Sequence, residues 1–220
     1  MYEDKQNEYF KNVRKDLLDL IPQDNRNGTI LEIGAGTGNT LIYAKKNGYA
    51  KNIVGIELCK IENSYQNNKE FDDFIIGNIE EIKLSFADKQ FDVIICGDVL
   101  EHLIDPYSVV DKLKKYLKDD GVFIASIPNI RYYTIIKEIF INGTFKYTNA
   151  GILDKTHLRF FCKKDILELF ENSSYEIIQL EGNSFFTNLR PKLTLFNNLT
   201  FRIFEDFLIE QYFVVAKKNG

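Results

Sequence analysis

The sequence predicts a doubly wound α/β fold, in which a mostly parallel sheet carries helices on both faces. Short apolar segments alternate with longer segments of helical periodicity along almost the whole chain. The segment FDVIICG at 91–97 is apolar nearly throughout, as strands buried on both faces of a sheet are. No internal repeat or low-complexity linker interrupts the alternation, so the 220 residues are expected to form one domain over 1–220.

Each element follows from its local pattern. The first helix is predicted at 8–21, where Phe10, Val13, Leu17, Leu18 and Ile21 recur at helical spacing before Pro22. Further helices are predicted at 39–48, 60–70, 107–120 and 163–174, with Gly48 ending the second and Gly121 the fourth. Apolar segments predict seven strands, at 29–34, 52–58, 73–78, 91–97, 121–128, 175–182 and 210–218.

Two segments depart from the alternation. Residues 130–161 are rich in aromatic residues, and residues 183–208 carry six phenylalanines: Phe185, Phe186, Phe196, Phe201, Phe204 and Phe207. Long connections in a compact domain are often functional, so both are interpreted as substrate-side insertions. For the second, core packing, a cover over the acceptor pocket, a homodimer face and contact with a lipid carrier stay open.

Composition excludes several classes of function. A net charge of −4 without clustered Lys and Arg argues against a nucleic-acid partner. The three cysteines are odd in number and widely spaced, which indicates reduced thiols in a reducing compartment. The N-terminus lacks the pattern of a signal peptide, and no apolar segment approaches the roughly 20 residues of a membrane span. These features predict a cytoplasmic protein without a membrane span.

The segment TILEIGAGTGNT at 29–40 predicts a ligand site. Its glycines, Gly34, Gly36 and Gly38, let the backbone approach a ligand where a Cβ would obstruct it. The next strand ends at Glu57, which lies 57 − 36 = 21 residues after the middle glycine. An acid about 20 residues after such a turn accepts hydrogen bonds from ribose hydroxyls. The ligand is therefore expected to contain a ribose.

The residues around this turn narrow the ligand further. Nicotinamide and flavin sites place a third glycine where this chain has Asn39, which makes a dehydrogenase the weaker alternative. Glu32 precedes the first glycine by two residues; a carboxylate there would repel a phosphate and attract an ammonium group. A ribosyl ligand with a cationic amino-acid end is S-adenosylmethionine.

The motifs resemble class I S-adenosylmethionine-dependent methyltransferases over residues 9–180 and the last strand. ILEIGAGTG is similar to their first motif, VGIEL to their ribose-binding strand, and LKDDGVFIASIPN to their fifth strand. The resemblance implies a Rossmann-like, seven-stranded sheet with an antiparallel last strand. NVRKDLLDLIP, GDVLEHLIDP, SIPNIRYY and GILDKTHLRFF together resemble a bacterial subgroup associated with glycan and cell-surface polysaccharide synthesis. Quinone-biosynthesis O-methyltransferases share LEHLIDP.

The resemblance assigns the cofactor-binding residues by position. They are Glu32, Gly34, Ala35, Gly36, Gly38, Glu57, Leu58, Asn78, Ile79, Gly97 and Asp98. Asn78 departs from the family pattern, which usually has Asp where the adenine amino group is bound. The amide oxygen of Asn78 still accepts a hydrogen bond, so binding is expected to survive.

The resemblance also assigns the acceptor side. A hydroxyl acceptor benefits from a base, worth about 10²–10⁴-fold in rate, and His157 and His102 are the candidates. A role for His157 in holding its own loop stays open. Arg159 and Tyr132 are assigned to the substrate, with Arg159 binding either an acidic group on the acceptor or Asp154.

We assign no metal ligand, although Asp98, Glu101 and His102 form an alternative set for a divalent cation, as in the similar segment of some quinone O-methyltransferases. GDVL stands where base-amino methyltransferases of nucleic acids carry a Pro-Pro-aromatic tetrapeptide, which argues against that chemistry. The sequence therefore predicts methyl transfer to a small-molecule or glycan-type hydroxyl. The alternative is a catalytically silent cofactor-binding module of the same fold.

Overall fold

A computed structural model describes residues 12–183 and 205–219 of the chain. Phe10 and five of the six phenylalanines of the 183–208 segment, all except Phe207, lie outside these ranges. The strands are β1 (Gly28–Ile33), β2 (Ala50–Glu57), β3 (Asp73–Ile76), β4 (Phe91–Gly97), β5 (Leu117–Pro128), β6 (Tyr175–Asn183) and β7 (Gln211–Lys218). Among the described residues the helices are α1 (Lys15–Asp19), α2 (Asn39–Lys46), α3 (Pro106–Lys114), α4 (Tyr133–Phe140), α5 (Lys163–Asn172) and α6 (Glu205–Leu208), with 3-10 turns at Gln23–Asn25 and Leu100–His102.

The strands form one sheet in the order β3-β2-β1-β4-β5-β7-β6. Strands β1 to β5 pair in parallel, and β7 lies antiparallel between β5 and β6. The predicted seven-stranded, mostly parallel sheet with an antiparallel last strand is therefore confirmed. The reversal of order between β1 and β4 is the topological switch point, where ligands bind in sheets of this kind.

Strand β4 explains why the sheet is covered on both faces. Val93 and Ile95 pack into one buried cluster with Leu17 of α1 and Leu41 of α2. The alternate residues of β4 pack into a second cluster, which contains residues of α3 and α5. Successive side chains of a strand point to opposite faces, so an uninterrupted apolar segment requires helices on both.

The predicted helix at 60–70 is wrong, because these residues form a series of turns. The side chain of Gln66 replaces helical hydrogen bonds: its amide nitrogen donates to the Gly36 carbonyl at 2.9 Å and its oxygen accepts from the Ile61 amide at 2.9 Å. Asn63 has a φ of +54°, which a helix does not allow. Side chains of this kind compete with helix formation, and here they tie the segment to the glycine turn.

The prediction that Gly121 ends a helix is wrong. Helix α3 begins at Pro106 with Asp105 as its N-cap, whose carboxylate accepts from the Ser108 amide at 3.1 Å, and it ends at Lys114. Gly121 then lies inside β5, where a Cβ would come within 2.8 Å of the Leu117 side chain. Close packing, rather than a helix end, therefore accounts for this glycine. Gly48 has a φ of +78° directly after α2, as predicted for a helix end.

Candidate active site

The glycine turn lies between the end of β1 and the start of α2. Gly34, Gly36 and Gly38 have φ values of +71°, +54° and +84°, which side chains with a Cβ rarely adopt. A Cβ on Gly34 would also stand 2.5 Å from the Val99 side chain. Gly38 is the N-cap of α2 and, unlike Gly34, it lines neither of the two cavities beside the turn.

Glu57 and the glycine turn are joined directly. One carboxylate oxygen of Glu57 accepts from the Gly36 amide at 2.8 Å, and the other accepts from the Leu58 amide at 2.7 Å. Burial raises the pKa of Glu57, and the backbone amides of Gly36 and Leu58 oppose this rise. The acid is thereby held at the carboxyl end of β2, at the edge of a cavity.

This first cavity has a volume of about 270 Å³ and opens at the carboxyl ends of β1, β2 and β4. It contains six of the predicted cofactor residues, Gly34, Glu57, Leu58, Asn78, Ile79 and Asp98. The oxygen of Asn78 accepts from the Glu80 amide at 3.0 Å, and its nitrogen donates to Glu81 at 3.0 Å. An amide oxygen has two lone pairs, so Asn78 keeps one for a ligand while its own turn holds it in place.

The second cavity, of about 290 Å³, lies on the other side of Gly34 and is lined by Glu32, Ala35, Gly36 and Gly97. Glu32 is buried, and its Oε2 atom has no hydrogen-bond partner among the described residues. Burial raises the pKa of Glu32 to about 8, although Arg14 acts in the opposite direction. A buried acceptor without a partner is costly, so this carboxyl group fits a ligand that supplies a cationic donor.

Arg14 is a further candidate site residue, which the sequence analysis did not single out. It lies at the N-terminus of α1 and lines the second cavity. Its guanidinium donates to Asp98 at 2.5 Å, to Asp16 at 2.9 Å and to Ser126 at 3.1 Å. Burial would lower the pKa of Arg14, but the carboxylates of Asp98 and Asp16 raise it above its ordinary value. A permanently charged donor thus lies close to the buried Glu32.

Gly97 makes room for this arginine at the end of β4. A Cβ on Gly97 would come within 2.7 Å of the Leu17 side chain and 3.3 Å of Nη1 of Arg14. The motif NVRKDLLDLIP carried the signal for Arg14, because it places the arginine directly before the apolar face of α1.

The third cavity, of about 320 Å³, lies beyond Asp98 and receives residues from the 130–161 segment. Ile152, Asp154 and His157 line it together with Glu101. Asp98 lines all three cavities and has a φ of +55°, which is uncommon for a residue with a side chain. Its carboxylate accepts from Arg14, Ser126 and Gln211. Asp98 therefore occupies the junction between the cavities.

The two histidine rings pack edge to face, with ring centroids 4.6 Å apart and 73° between their planes. Nδ1 of His102 faces the Thr156 carbonyl at 3.0 Å, and Nδ1 of His157 faces the Ile152 carbonyl at 2.9 Å. Nε2 of His157 is 3.9 Å from Glu101. His157 lines the third cavity, whereas His102 lines the first.

The three residues considered from sequence as an alternative cation site, Asp98, Glu101 and His102, are not grouped together in the structure. Asp98 is bonded to Arg14 and Ser126, and it does not join Glu101 and His102. The third member is instead His157, and one donor atom from each of Glu101, His102 and His157 lies within 4.8 Å of the others.

The predicted substrate residues lie away from the third cavity. Arg159 donates to the Ile104 carbonyl on an exposed surface and lines none of the three cavities, so its contacts support neither of its predicted partners. Tyr132 lines a neighbouring cavity of about 380 Å³, which shares Ile152 and Glu210 with the third. Burial, with Glu210 near by, raises the pKa of Tyr132 to about 12.

A doubly wound sheet with a glycine turn, a strand-end acid and a cavity at the switch point defines a nucleoside-binding α/β protein. The family model of a methyltransferase domain matches residues 4–180, so the chain belongs to this family. It is an S-adenosylmethionine-dependent methyltransferase, and the buried, unpartnered Glu32 oxygen fits the ammonium group of that cofactor.

Curated and solved relatives agree with this family. The ubiquinone biosynthesis O-methyltransferase of Rickettsia bellii is 26% identical over 200 residues, covering 86% of this chain and 75% of the relative. A SAM-dependent methyltransferase from Archaeoglobus fulgidus has a TM-score of 0.65 at 18% identity, covering 99% of this chain and 98% of its own. The 1,6-didemethyltoxoflavin-N1-methyltransferase of Burkholderia thailandensis, with bound S-adenosylhomocysteine, has a TM-score of 0.62 at 15% identity. The match covers 100% of this chain and 81% of that one. These structures share the fold.

The described part of the chain contains no helix that is both long and apolar enough to cross a bilayer.

Proposed function

We propose that this methyltransferase acts on a hydroxyl group of a small molecule that enters the third cavity. The observation that carries the proposal is the position of Asp98, which lines that cavity and both cavities that hold the predicted cofactor residues. A methyl donor spanning the first two cavities would have its centre beside Asp98, facing the third. Transfer then needs little more than alignment of the acceptor oxygen with the methyl group.

In this proposal, residues of the first cavity hold the adenosine part of the cofactor and residues of the second hold its methionine end. In the first cavity, Glu57 would accept from the ribose hydroxyls and Asn78 from the adenine amino group. In the second, Glu32 would pair with the ammonium group and Arg14 with the carboxylate of the methionine end. When bound, the cofactor supplies an activated methyl group on a sulfonium, and the sulfide S-adenosylhomocysteine remains after transfer. Leu58 and Ile79 contribute apolar lining beside the adenosine.

His157 is proposed as the base that takes the acceptor's proton. A carbonyl oxygen only accepts hydrogen bonds, so Nδ1 of His157 carries the hydrogen toward Ile152 and Nε2 keeps its lone pair. Glu101, 3.9 Å from Nε2, would stabilise the imidazolium that forms. His102 is assigned to the cofactor side, because it lines the first cavity.

The acceptor class has two candidates. The name of the Rickettsia bellii relative favours a quinone-type phenolic hydroxyl, whereas the four motifs of the glycan-associated subgroup favour a sugar hydroxyl. Incubation with methyl-labelled cofactor and matched panels of catechols, phenols, sugars and amines tests both. We expect label in an acid-stable methyl ether of one panel. If nitrogen acceptors are labelled and hydroxyl acceptors are not, the proposal is wrong.

A catalytically silent cofactor-binding module is the alternative. The alternative predicts binding of S-adenosylhomocysteine without transfer to any panel, including lysates from cells starved of methylation. Cytoplasmic localisation is likewise proposed from the composition alone.

A further inference from the structure

The turn at 78–82 carries Asn78 and Ile79, two of the predicted cofactor residues that line the first cavity. The amides of Glu81 and Ile82 both donate to the Asn78 carbonyl, at 3.0 and 2.9 Å. Because these two bonds end on one carbonyl oxygen, the other carbonyls of the turn need partners from elsewhere in the chain.

Lys112 of α3 supplies such a partner for two of these carbonyls. Its Nζ atom donates to the Ile79 carbonyl at 2.8 Å and to the Ile82 carbonyl at 2.6 Å. The side chain is half-buried, and within the described part of the chain it forms no ion pair with a carboxylate. Burial lowers the pKa of Lys112. A partly desolvated ammonium group is unfavourable unless it is hydrogen-bonded, and the two carbonyls of the turn meet that need.

Glu80 holds the same turn at the other end of α3. Its two carboxylate oxygens accept from the Ile104 amide at 3.2 Å and from the Asp105 amide at 2.8 Å. Asp105 is the N-cap of α3, whereas Lys112 lies in the last turn of that helix. The turn is therefore fixed to both ends of α3.

The anchored turn also sets the orientation of the Asn78 amide. Its oxygen accepts from the Glu80 amide, which only donates, and its nitrogen donates to the Glu81 carboxylate, which only accepts. Reversing the amide would break both bonds. The remaining lone pair of the oxygen suits the exocyclic amino group of adenine, and it would repel the carbonyl oxygen that hypoxanthine carries at the same ring position.

We propose that Lys112 is a positioning residue for the nucleobase, because by holding the carbonyls of Ile79 and Ile82 it keeps the Asn78 oxygen where it selects adenine over hypoxanthine. The inference rests on the proposed role of Asn78 in the cofactor site. Lys112 lines none of the three cavities, so it acts through the turn and not by contact with the ligand. Without Lys112 the turn would shift more freely, and the amide would adapt to either base.

Isothermal titration with S-adenosylhomocysteine and with S-inosylhomocysteine, in which hypoxanthine replaces adenine, tests this role without any acceptor. The wild-type chain should bind S-adenosylhomocysteine at least roughly 10-fold more tightly. Lys112→Met removes the donor and keeps an unbranched side chain. This variant should bind S-adenosylhomocysteine roughly 10-fold more weakly and S-inosylhomocysteine almost unchanged, so that the preference falls to about threefold or less.

Lys115→Met is the matched control on the same helix. Lys115 is the C-cap of α3 and pairs with Asp88 at the surface, at 3.1 Å, so both affinities should stay within about twofold of the wild type. A double-mutant cycle shows whether Lys112 acts through Asn78. In an Asn78→Ala background, Lys112→Met should change the preference between the two ligands by less than about twofold.

The melting temperature of each ligand-free variant reports whether it is folded. Lys112→Gln, which keeps a shorter neutral donor, takes the place of Lys112→Met if that variant does not fold, and the same fall in preference is expected. An unchanged preference would overturn the proposal, as would an equal loss of affinity for both ligands, which would indicate a general structural role. A wild-type chain without any preference would instead remove Asn78 from the adenine site, and the inference with it.

Discussion

The guanidinium of Arg14 donates to the carboxylate of Asp98, with Nη1 and Oδ2 2.5 Å apart. The two residues are 84 positions apart in the chain, and their contact joins the N-terminal helix to the end of β4. The charge of Arg14 thereby compensates the aspartate at the junction of the three cavities. The same guanidinium is available to a carboxylate of the cofactor in the second cavity.

Arg14→Gln should weaken binding of S-adenosylhomocysteine by roughly 10- to 100-fold, because a charge-assisted contact is lost and Asp98 is left uncompensated. Isothermal titration measures the change. Arg159→Gln is the matched control, since Arg159 lines none of the three cavities, and its affinity should be that of the wild type. Equal effects of the two substitutions would exclude a specific role for Arg14.

Glu57→Ala should weaken cofactor binding by about 1.5–3 kcal/mol, because two ribose hydroxyls lose a charged acceptor. The substitution also releases the Gly36 amide, so the melting temperature without ligand serves to separate loss of ligand contacts from loss of structure. Unchanged affinity in a folded variant would remove Glu57 from the site.

Gly36→Val should abolish cofactor binding. The φ of +54° at Gly36 is strained for any residue with a Cβ, and the new side chain would occupy space in the second cavity. Gly48→Val is a useful control, because its φ of +78° imposes a similar strain at a site with open space around it. Cofactor affinity in a folded Gly48→Val should be retained, and retention in Gly36→Val as well would contradict the assigned turn.

The pKa of about 8 for Glu32 predicts a pH dependence of stability. The ordinary value is 4.5, so between about pH 4.5 and 8 the folded chain keeps a proton on Glu32 that the unfolded chain has lost. This contribution to stability is present at low pH and is lost as the pH rises through 8. Glu32→Gln should therefore flatten the fall in melting temperature across this range. A cofactor ammonium favours the ionised carboxyl group, so binding should release a proton, detected by titration in buffers of different ionisation enthalpy.

His157→Gln should lower turnover of a hydroxyl acceptor by about 100-fold or more with little change in S-adenosylhomocysteine affinity. In the wild type, turnover should fall at acidic pH, where the imidazole takes up a proton. His102→Gln should instead alter cofactor affinity, because His102 lines the first cavity. If the two variants exchange their effects, the roles must be exchanged, and if neither slows turnover, the reaction needs no base.

Local patterns predicted the parts of the site that lie close to the sheet. The spacing of 21 residues between Gly36 and Glu57 indicated a shared ligand, and the two residues are hydrogen-bonded. The strands were predictable because short apolar runs bounded by glycine and polar residues are typical of strands buried in a parallel sheet.

Features that depend on distant contacts were not predictable in this way. The turns at 60–70 arise because Gln66 reaches the Gly36 carbonyl 30 residues away, which no local propensity encodes. Arg14 was missed because its partner Asp98 belongs to another element, 84 positions away, and no local pattern indicated the positive φ of Asp98. Arg159 was expected to bind either an acidic group of the acceptor or Asp154, and the contact that its side chain makes is with the Ile104 carbonyl.

Filling the third cavity tests most directly whether it holds the acceptor. Ile152 is buried and lines that cavity and the neighbouring one but neither cofactor cavity, so Ile152→Trp should fill space on the acceptor side and leave the cofactor cavities open. The measurement is transfer of labelled methyl to the acceptor identified from the panels, together with affinity for S-adenosylhomocysteine. We predict loss of transfer with cofactor affinity within about twofold of the wild type. Wild-type transfer by Ile152→Trp would contradict the account.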